Sequence, residues 1–245
     1  MSLELARAVA PGGVELMLHE RDGVFTLRAD GYELMTSREH RSEDSLATET
    51  LAILPSLDVR ILIGGLGFGF TARAALRVLP RTAEVIVAEV SPEVISWNQT
   101  HLSTLWPDGL DERLEVVAGD VATALERGPF AAILLDVDNG PSPLVQAVNE
   151  RLYSFEGLSA LYGALSDPGV LGVWSAVEDA EFEDRMSSAG FATEARLVPL
   201  ARTEHRLFLG TKRQPTARSA ARPYCPATVE GTTSIRPSSP FLATT

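Results

Sequence analysis

The segment that most restricts the fold of this chain is Arg60-Ile61-Leu62-Ile63, followed at once by Gly64-Gly65-Leu66-Gly67-Phe68-Gly69 and then by Thr71 to Leu79 with apolar residues at helical spacing. A short apolar run, a glycine-rich turn and a helix make a strand–turn–helix junction. Glycines without a Cβ let the backbone turn sharply and approach a ligand. The helix that follows presents free N–H groups and a positive dipole end to polar ligand atoms. Strand-like runs then recur at Val85-Ile86-Val87-Ala88, Leu114-Glu115-Val116-Val117, Ala131-Ala132-Ile133-Leu134-Leu135 and Val170 to Ser175. Helical stretches are predicted at Pro92 to Leu105, Val121 to Leu125, Phe155 to Leu165 and Ala180 to Ala189. Near-continuous apolar strands separated by helices indicate an α/β fold with a parallel sheet covered on both faces. Ala192 to Leu200 and His205 to Gly210 are expected to close that sheet as an antiparallel hairpin.

Ahead of this alternation lies a small β-segment. Val14 to Leu18, Val24 to Leu27 and Tyr32 to Met35 are short apolar runs separated by the turn signals Arg21-Asp22-Gly23 and Asp30-Gly31. A helix capped by Ser42 or Ser45 is predicted to run until Pro55. The expected organisation is therefore residues 1–55 as β-segment and helix, 56–211 as the ligand-binding α/β domain, and 212–245 as a disordered tail rich in Pro, Ser, Thr, Ala and Arg.

With 45% hydrophobic residues in 245, the chain can bury one substantial core. No stretch approaches the roughly 20 apolar residues of a membrane span. The first residues lack the basic-then-apolar order of a secretory leader. Cys225 is the single cysteine, so no internal disulfide forms, and a cytoplasmic location is expected. The net charge is −12. The cluster Lys212, Arg213, Arg218, Arg222 and Arg236 leaves the body more acidic still. Such a surface repels phosphate backbones and attracts cations, which argues against nucleic acid and for a small, cationic acceptor. His40, His101 and His205 have no second ligand at metal-binding spacing, so no metal site is expected.

Acids end three successive core strands. Glu89 ends the second, where a carboxylate accepts hydrogen bonds from ribose hydroxyls. Asp120 ends the third in Ala118-Gly119-Asp120, suited to an exocyclic adenine amine, to capping the next helix, or to both. Asp136 and Asp138 follow the fourth, in Asp136-Val137-Asp138-Asn139-Gly140. Open α/β sheets bind ligands outside these carboxyl ends, and paired carboxylates there supply a proton acceptor. The competing reading of Asp138-Asn139-Gly140 is a plain turn. The expected ligand-binding residues are Gly64, Gly65, Gly67, Gly69, Glu89, Asp120 and Asp136, and the expected catalytic residues are Asp136 and Asp138. A nicotinamide dinucleotide also matches a glycine pattern, Gly67-Phe68-Gly69-Phe70-Thr71-Ala72. Several carboxylates suit a cationic sulfonium nucleoside better than a pyrophosphate, so the expected cofactor is S-adenosylmethionine or its decarboxylated form.

From Gly13 to Gly210 the chain resembles the spermidine synthase-like (polyamine aminopropyltransferase-like) branch of the S-adenosylmethionine-dependent methyltransferase superfamily. The resemblance rests on the β-segment, Ile61-Leu62-Ile63-Gly64-Gly65-Leu66-Gly67, Glu89, Gly119-Asp120, Leu135-Asp136-Val137-Asp138 and Leu152-Tyr153-Ser154. It implies a Rossmann-like, seven-stranded methyltransferase-type sheet with helices on both faces. It also implies Glu89 as ribose ligand, Asp120 as adenine ligand, Asp136 as catalytic acid–base group, and a homodimer contact through the β-segment. The chain departs from the family at Phe68, where the glycine loop of aminopropyltransferases carries an acid. It departs again at Asp136 and Asp138, whose spacing differs, with Asn139-Gly140 in place of Asp-Pro. The family's Tyr-His-Glu substrate segment falls near Ser42-Glu43-Asp44-Ser45, where Glu43 and Asp44 are the candidate replacement acids. Because these departures erode the aminopropyl features, the first expectation is methyl transfer to a small, amine-containing acceptor. Aminopropyl transfer to a polyamine is the alternative, and a non-catalytic nucleoside-binding scaffold is the third reading.

Overall fold

The computed structural model describes residues 2–137, 141, 150–201 and 203–212. The predicted tail beyond 212, and Asp138 with it, lie outside the described residues.

The chain begins with a four-stranded antiparallel sheet, β1 (Leu3–Val9), β2 (Glu15–Arg21), β3 (Val24–Ala29) and β4 (Tyr32–Thr36), in the order β1-β2-β3-β4. Three of these strands were legible, but β1 was not. Leu-Glu-Leu-Ala-Arg-Ala-Val is built largely of good helix formers, and pairing with β2 overrides that local preference at the sheet edge. The turns at Asp22-Gly23 and Asp30-Gly31 all take positive φ, as the two-residue hairpin connections require.

Helix α1 (Arg41–Ala52) leads into the main sheet. It begins at His40 without a side-chain cap, so the predicted caps are corrected. Ser42 and Ser45 sit inside the helix, and the Ser42 hydroxyl is buried and bonded to Glu43 instead. The alternation that follows is β5 (Arg60–Gly64), α2 (Phe70–Val78), β6 (Glu84–Glu89), α3 (Pro92–Gln99), β7 (Leu114–Ala118), α4 (Val121–Ala124) and β8 (Phe130–Leu135). After it come α5 (Glu150–Tyr153), α6 (Phe155–Ala164), β9 (Leu165–Ser175), α7 (Ala180–Ser188), β10 (Phe191–Pro199) and β11 (Glu204–Lys212). The last strand runs through Lys212, one residue past the expected boundary, and the Lys212 ammonium donates to the Leu165 carbonyl.

The seven strands order as β10-β11-β9-β8-β5-β6-β7. Neighbours from β9 to β7 are parallel, and β11 and β10 are antiparallel. This is the predicted parallel sheet with a closing hairpin. Successive residues of the central strands alternate between two cores. Ile61, Ile63, Val85, Val87 and Leu134 pack under α1 and α2. Leu62, Ile86, Ile133 and Leu135 pack under α4, α6 and α7. Each such side chain, withdrawn fully from water, contributes about 1.5–3 kcal/mol. A third core joins the small sheet to the main domain: Leu16, Leu18, Phe25 and Leu27 meet Phe68, Phe70, Val94 and Trp97. The small sheet thereby covers the glycine turn and α3. Among the described residues, no helix is long and apolar enough to cross a membrane.

Candidate active site

A cleft lies outside the carboxyl ends of the parallel strands, walled by the glycine turn, the strand ends and the small sheet. The topology brings Gly65, Gly67, Glu89, Asp120 and Asp136 to it from separate strand–helix junctions.

The glycine turn is held by partners remote in sequence. Gly65 has φ of +87°, and a Cβ there would run into the Asp136 carbonyl oxygen, so only glycine lets the turn pass this close to the end of β8. The Leu66 N–H donates to Glu89 Oε2 at 2.9 Å, and the Ser91 N–H donates to Glu89 Oε1 at 2.9 Å. Asn98 donates to the Gly67 carbonyl at 2.8 Å and accepts the Trp106 indole N–H at 3.0 Å. Gly69 lies against that same indole, which a Cβ would overlap. Gly64 and Gly69 were expected beside the ligand, but neither lines the cleft. Gly64 is packed between Leu135 and Val121, and Gly69 opens α2 above Trp106. The glycine pattern thus mixes positions that line the cleft with positions of helix–strand packing, and spacing alone does not separate them.

Glu89 is buried, with 8% of its surface exposed, and lines the cleft while it bridges the turn to α3. Asp120 caps α4, accepting the Ala122 N–H at 2.8 Å, and also lines the cleft. The capping role therefore holds alongside cleft exposure.

The far side of the cleft carries the strongest electrostatic feature. Asp136 accepts the Thr71 hydroxyl, and its backbone N–H bonds to the Gly64 carbonyl. Burial pushes its carboxyl up to about 6, against the pull of the Thr71 hydroxyl. Glu43 from α1 is 8% exposed and lines the same cleft. Burial, then the neighbouring Asp136 charge, pushes the Glu43 carboxyl up to about 7. The Asp136 charge thus opposes ionisation of Glu43, as expected of neighbouring carboxyls. Asp44 turns outward to Arg77 and His40, so of the two candidate replacement acids only Glu43 reaches the cleft. Trp174 also lines it, 8% exposed, and its indole N–H finds no hydrogen-bond partner among the described residues.

No protein-family model and no curated protein matches the sequence. Solved structures do match. A spermidine synthase from Thermotoga maritima superposes with a TM-score of 0.69 at 21% identity, covering 86% of this chain and 73% of that one. A spermidine synthase in complex with the transition-state analogue AdoDATO gives a TM-score of 0.68 at 20% identity, covering 86% and 72%. The fold is that of the spermidine synthases.

Within that spermidine synthase-like fold, Phe68 explains one sequence departure. It is 1% exposed in the core beneath the small sheet, so the glycine loop presents a hydrocarbon inward and no carboxylate to the cleft. Residues missed in the sequence are Asn98 and Trp106, which brace the turn, and Thr71, which orients Asp136. Nothing in their local spacing signals this, since the Asn98–Gly67 and Thr71–Asp136 contacts join residues 31 and 65 positions apart. Among the described residues, no cluster of three His, Cys, Asp or Glu side chains could hold a metal ion.

Proposed function

We propose that this chain transfers an aminopropyl group from decarboxylated S-adenosylmethionine to the amine of a di- or polyamine. The observation that carries the reading is the Glu43–Asp136 pair lining the cleft, with both carboxyls held above their ordinary range. A polyamine arrives protonated near neutral pH, and attack requires one nitrogen to lose its proton. A carboxyl titrating near neutrality is a fitting acceptor for that proton. The spermidine synthase fold and the neighbour's bound transition-state analogue support the same reading.

The sulfonium donor supplies an electrophilic carbon: the amine nitrogen forms a C–N bond there as the C–S bond breaks, leaving its electron pair on a neutral thioether. The chain's residues align and deprotonate. Glu89 is assigned to the ribose hydroxyls and Asp120 to the adenine amine, both from the cleft wall. Asp136, held by Thr71, takes the acceptor's proton, and Glu43 shares it. Alignment of nucleophile, carbon and sulfur supplies much of the remaining rate gain. Catalysis by Asp138 and the ligand roles of Gly65 and Gly67 belong to the same reading.

Methyl transfer, the first expectation from sequence, becomes the second reading. It keeps one observation in its favour, the inward Phe68 that leaves no loop carboxylate for the amine of an aminopropyl donor. Calorimetric titration with each donor separates the two. Tighter binding of the decarboxylated form, with transfer to a diamine, supports the proposal. Preference for intact S-adenosylmethionine replaces it with methyl transfer, and binding of neither overturns the nucleoside site.

A further inference from the structure

Behind the acid pair, a short chain of hydrogen bonds leaves the cleft. The Ser42 hydroxyl donates to Glu43 Oε2 at 2.6 Å. The same Ser42 oxygen lies 2.9 Å from His205 Nδ1. Ser42 is 1% exposed, whereas His205 on β11 is only half-buried. The imidazole also packs against Trp174, edge to face at 4.8 Å between ring centroids. An acid in the cleft, a buried hydroxyl and a ring that reaches toward water are thus strung together from α1 and β11, whose residues lie 163 positions apart.

We propose that Ser42 and His205 form a proton relay between the Glu43–Asp136 pair and solvent, with His205 as the outer station. The relay rests on the aminopropyl reading only for the direction in which protons flow during turnover.

The hydrogen bonds permit two polarities. With Glu43 ionised, the His205 Nδ1–H donates to the Ser42 oxygen and the Ser42 hydroxyl donates to Glu43. With Glu43 protonated, the bonds reverse: the carboxyl O–H donates to the Ser42 oxygen and the Ser42 hydroxyl donates to the bare Nδ1. Passing from the second arrangement to the first moves one proton from the carboxyl to the ring. Glu43 is left as carboxylate, Ser42 keeps one hydrogen throughout, and His205 becomes imidazolium. The ring then loses its outer Nε2 proton to water, and tautomer exchange through solvent returns the remaining proton from Nδ1 to Nε2, so that a bare Nδ1 faces Ser42 again. No oxidant, reductant or second substrate enters the step.

The groups around His205 suit this task. Burial lowers its affinity for a proton, so that it does not hold one permanently, while the Glu39 carboxylate works in the opposite sense. Glu43 faces it through Ser42, and Trp174 on β9 presents an uncharged ring. On β10 the paired residue is the apolar Val198. The adjacent Arg206 is occupied by Glu178 at 2.8 Å.

The decisive experiment is an NMR pH titration of the histidine rings in the full chain without ligand, with His205 assigned as the resonance lost in His205→Gln. In the wild type, His205 is expected to show a second inflection as the acid pair ionises. Ser42→Ala and Glu43→Gln should each reduce it to a single step. Identical His205 titrations in all three proteins overturn the relay. A second arm uses turnover. Gln at 205 keeps a hydrogen bond to Ser42 but carries no exchangeable charge, so kcat should fall about 10-fold or more. The acceptor KM should hold, and added imidazole should restore part of the rate. Unchanged kcat and pH profile in His205→Gln overturn the relay, since a merely structural histidine is replaced by its hydrogen-bonding analogue. Absence of aminopropyl transfer by the wild type rejects the proposed reaction, and the NMR comparison then decides the relay by itself.

Discussion

The two halves of the cleft are built on different principles. The half proposed to hold the nucleoside is built on backbone: the turn at Gly65 passes against the Asp136 carbonyl, and Glu89 accepts N–H groups from Leu66 and Ser91. The half proposed to hold the acceptor is built from side chains brought together by tertiary packing, with Glu43 from α1, Asp136 from the end of β8 and Trp174 from the end of β9. Backbone geometry is common to any ligand with the same skeleton, whereas placed acids select by charge. On the proposed reading, the first half selects the donor nucleoside and the second selects what that nucleoside reacts with.

Substitutions that act on one half and spare the other test this division. The largest effect is expected for Asp136→Asn, which should lower kcat by about 10²- to 10⁴-fold with the calorimetric affinity for the donor retained. A matching loss of donor affinity would place Asp136 in the nucleoside half. Gly65→Ala strikes the one point where the halves touch. The new Cβ meets the Asp136 carbonyl at a φ of +87°. It should cost about 1–3 kcal/mol in a denaturant melt and weaken donor binding and turnover together.

Glu43→Gln separates electrostatics from packing. The folded-state affinities of Glu43 and Asp136 for protons are raised, so the folded chain binds protons more tightly than the unfolded one. The associated stability is complete below about pH 4 and is lost as pH rises through about 7. Removing the Glu43 charge should raise stability at pH 8 by about 2 kcal/mol, with the gain fading toward pH 4 in parallel thermal melts. The smallest effect is expected for Trp174→Phe. It deletes one unpartnered N–H and should change the acceptor KM by about 10-fold or less while leaving donor affinity alone.

The same division governs how much could be read from the residues in order. The glycine turn, Glu89 and Asp120 stand at strand ends, where a near-continuous apolar run stops, so their positions follow from local pattern. Asp136 follows for the same reason. Glu43 was only one of two adjacent acids, because a helix start does not reveal which face meets the sheet. Packing of Leu46, Ala47 and Leu51 against the main core decides that question and turns Asp44 outward to Arg77. Phe68 looked like a missing ligand until the third core showed what it packs against. Strand β1 stayed hidden because Ala, Leu, Glu and Arg carry helix preference, and only its partner strand makes it extended.

The position of the small sheet has a consequence for how such a protein can diversify. Its residues Ala10, Val14, Leu16, Leu27, Ala29, Leu34 and Met35 form the apolar wall of the cleft opposite the strand ends, yet none of them belongs to the strand–helix units that carry Glu89, Asp120 and Asp136. Changes in the size of these seven side chains would reshape the cavity from outside and leave the strand-end acids in place. On the proposed reading, the first 36 residues act as a replaceable mould, and a chimera carrying another chain's small sheet should change the shape offered to the acceptor while Glu89, Asp120 and Asp136 stay where they are.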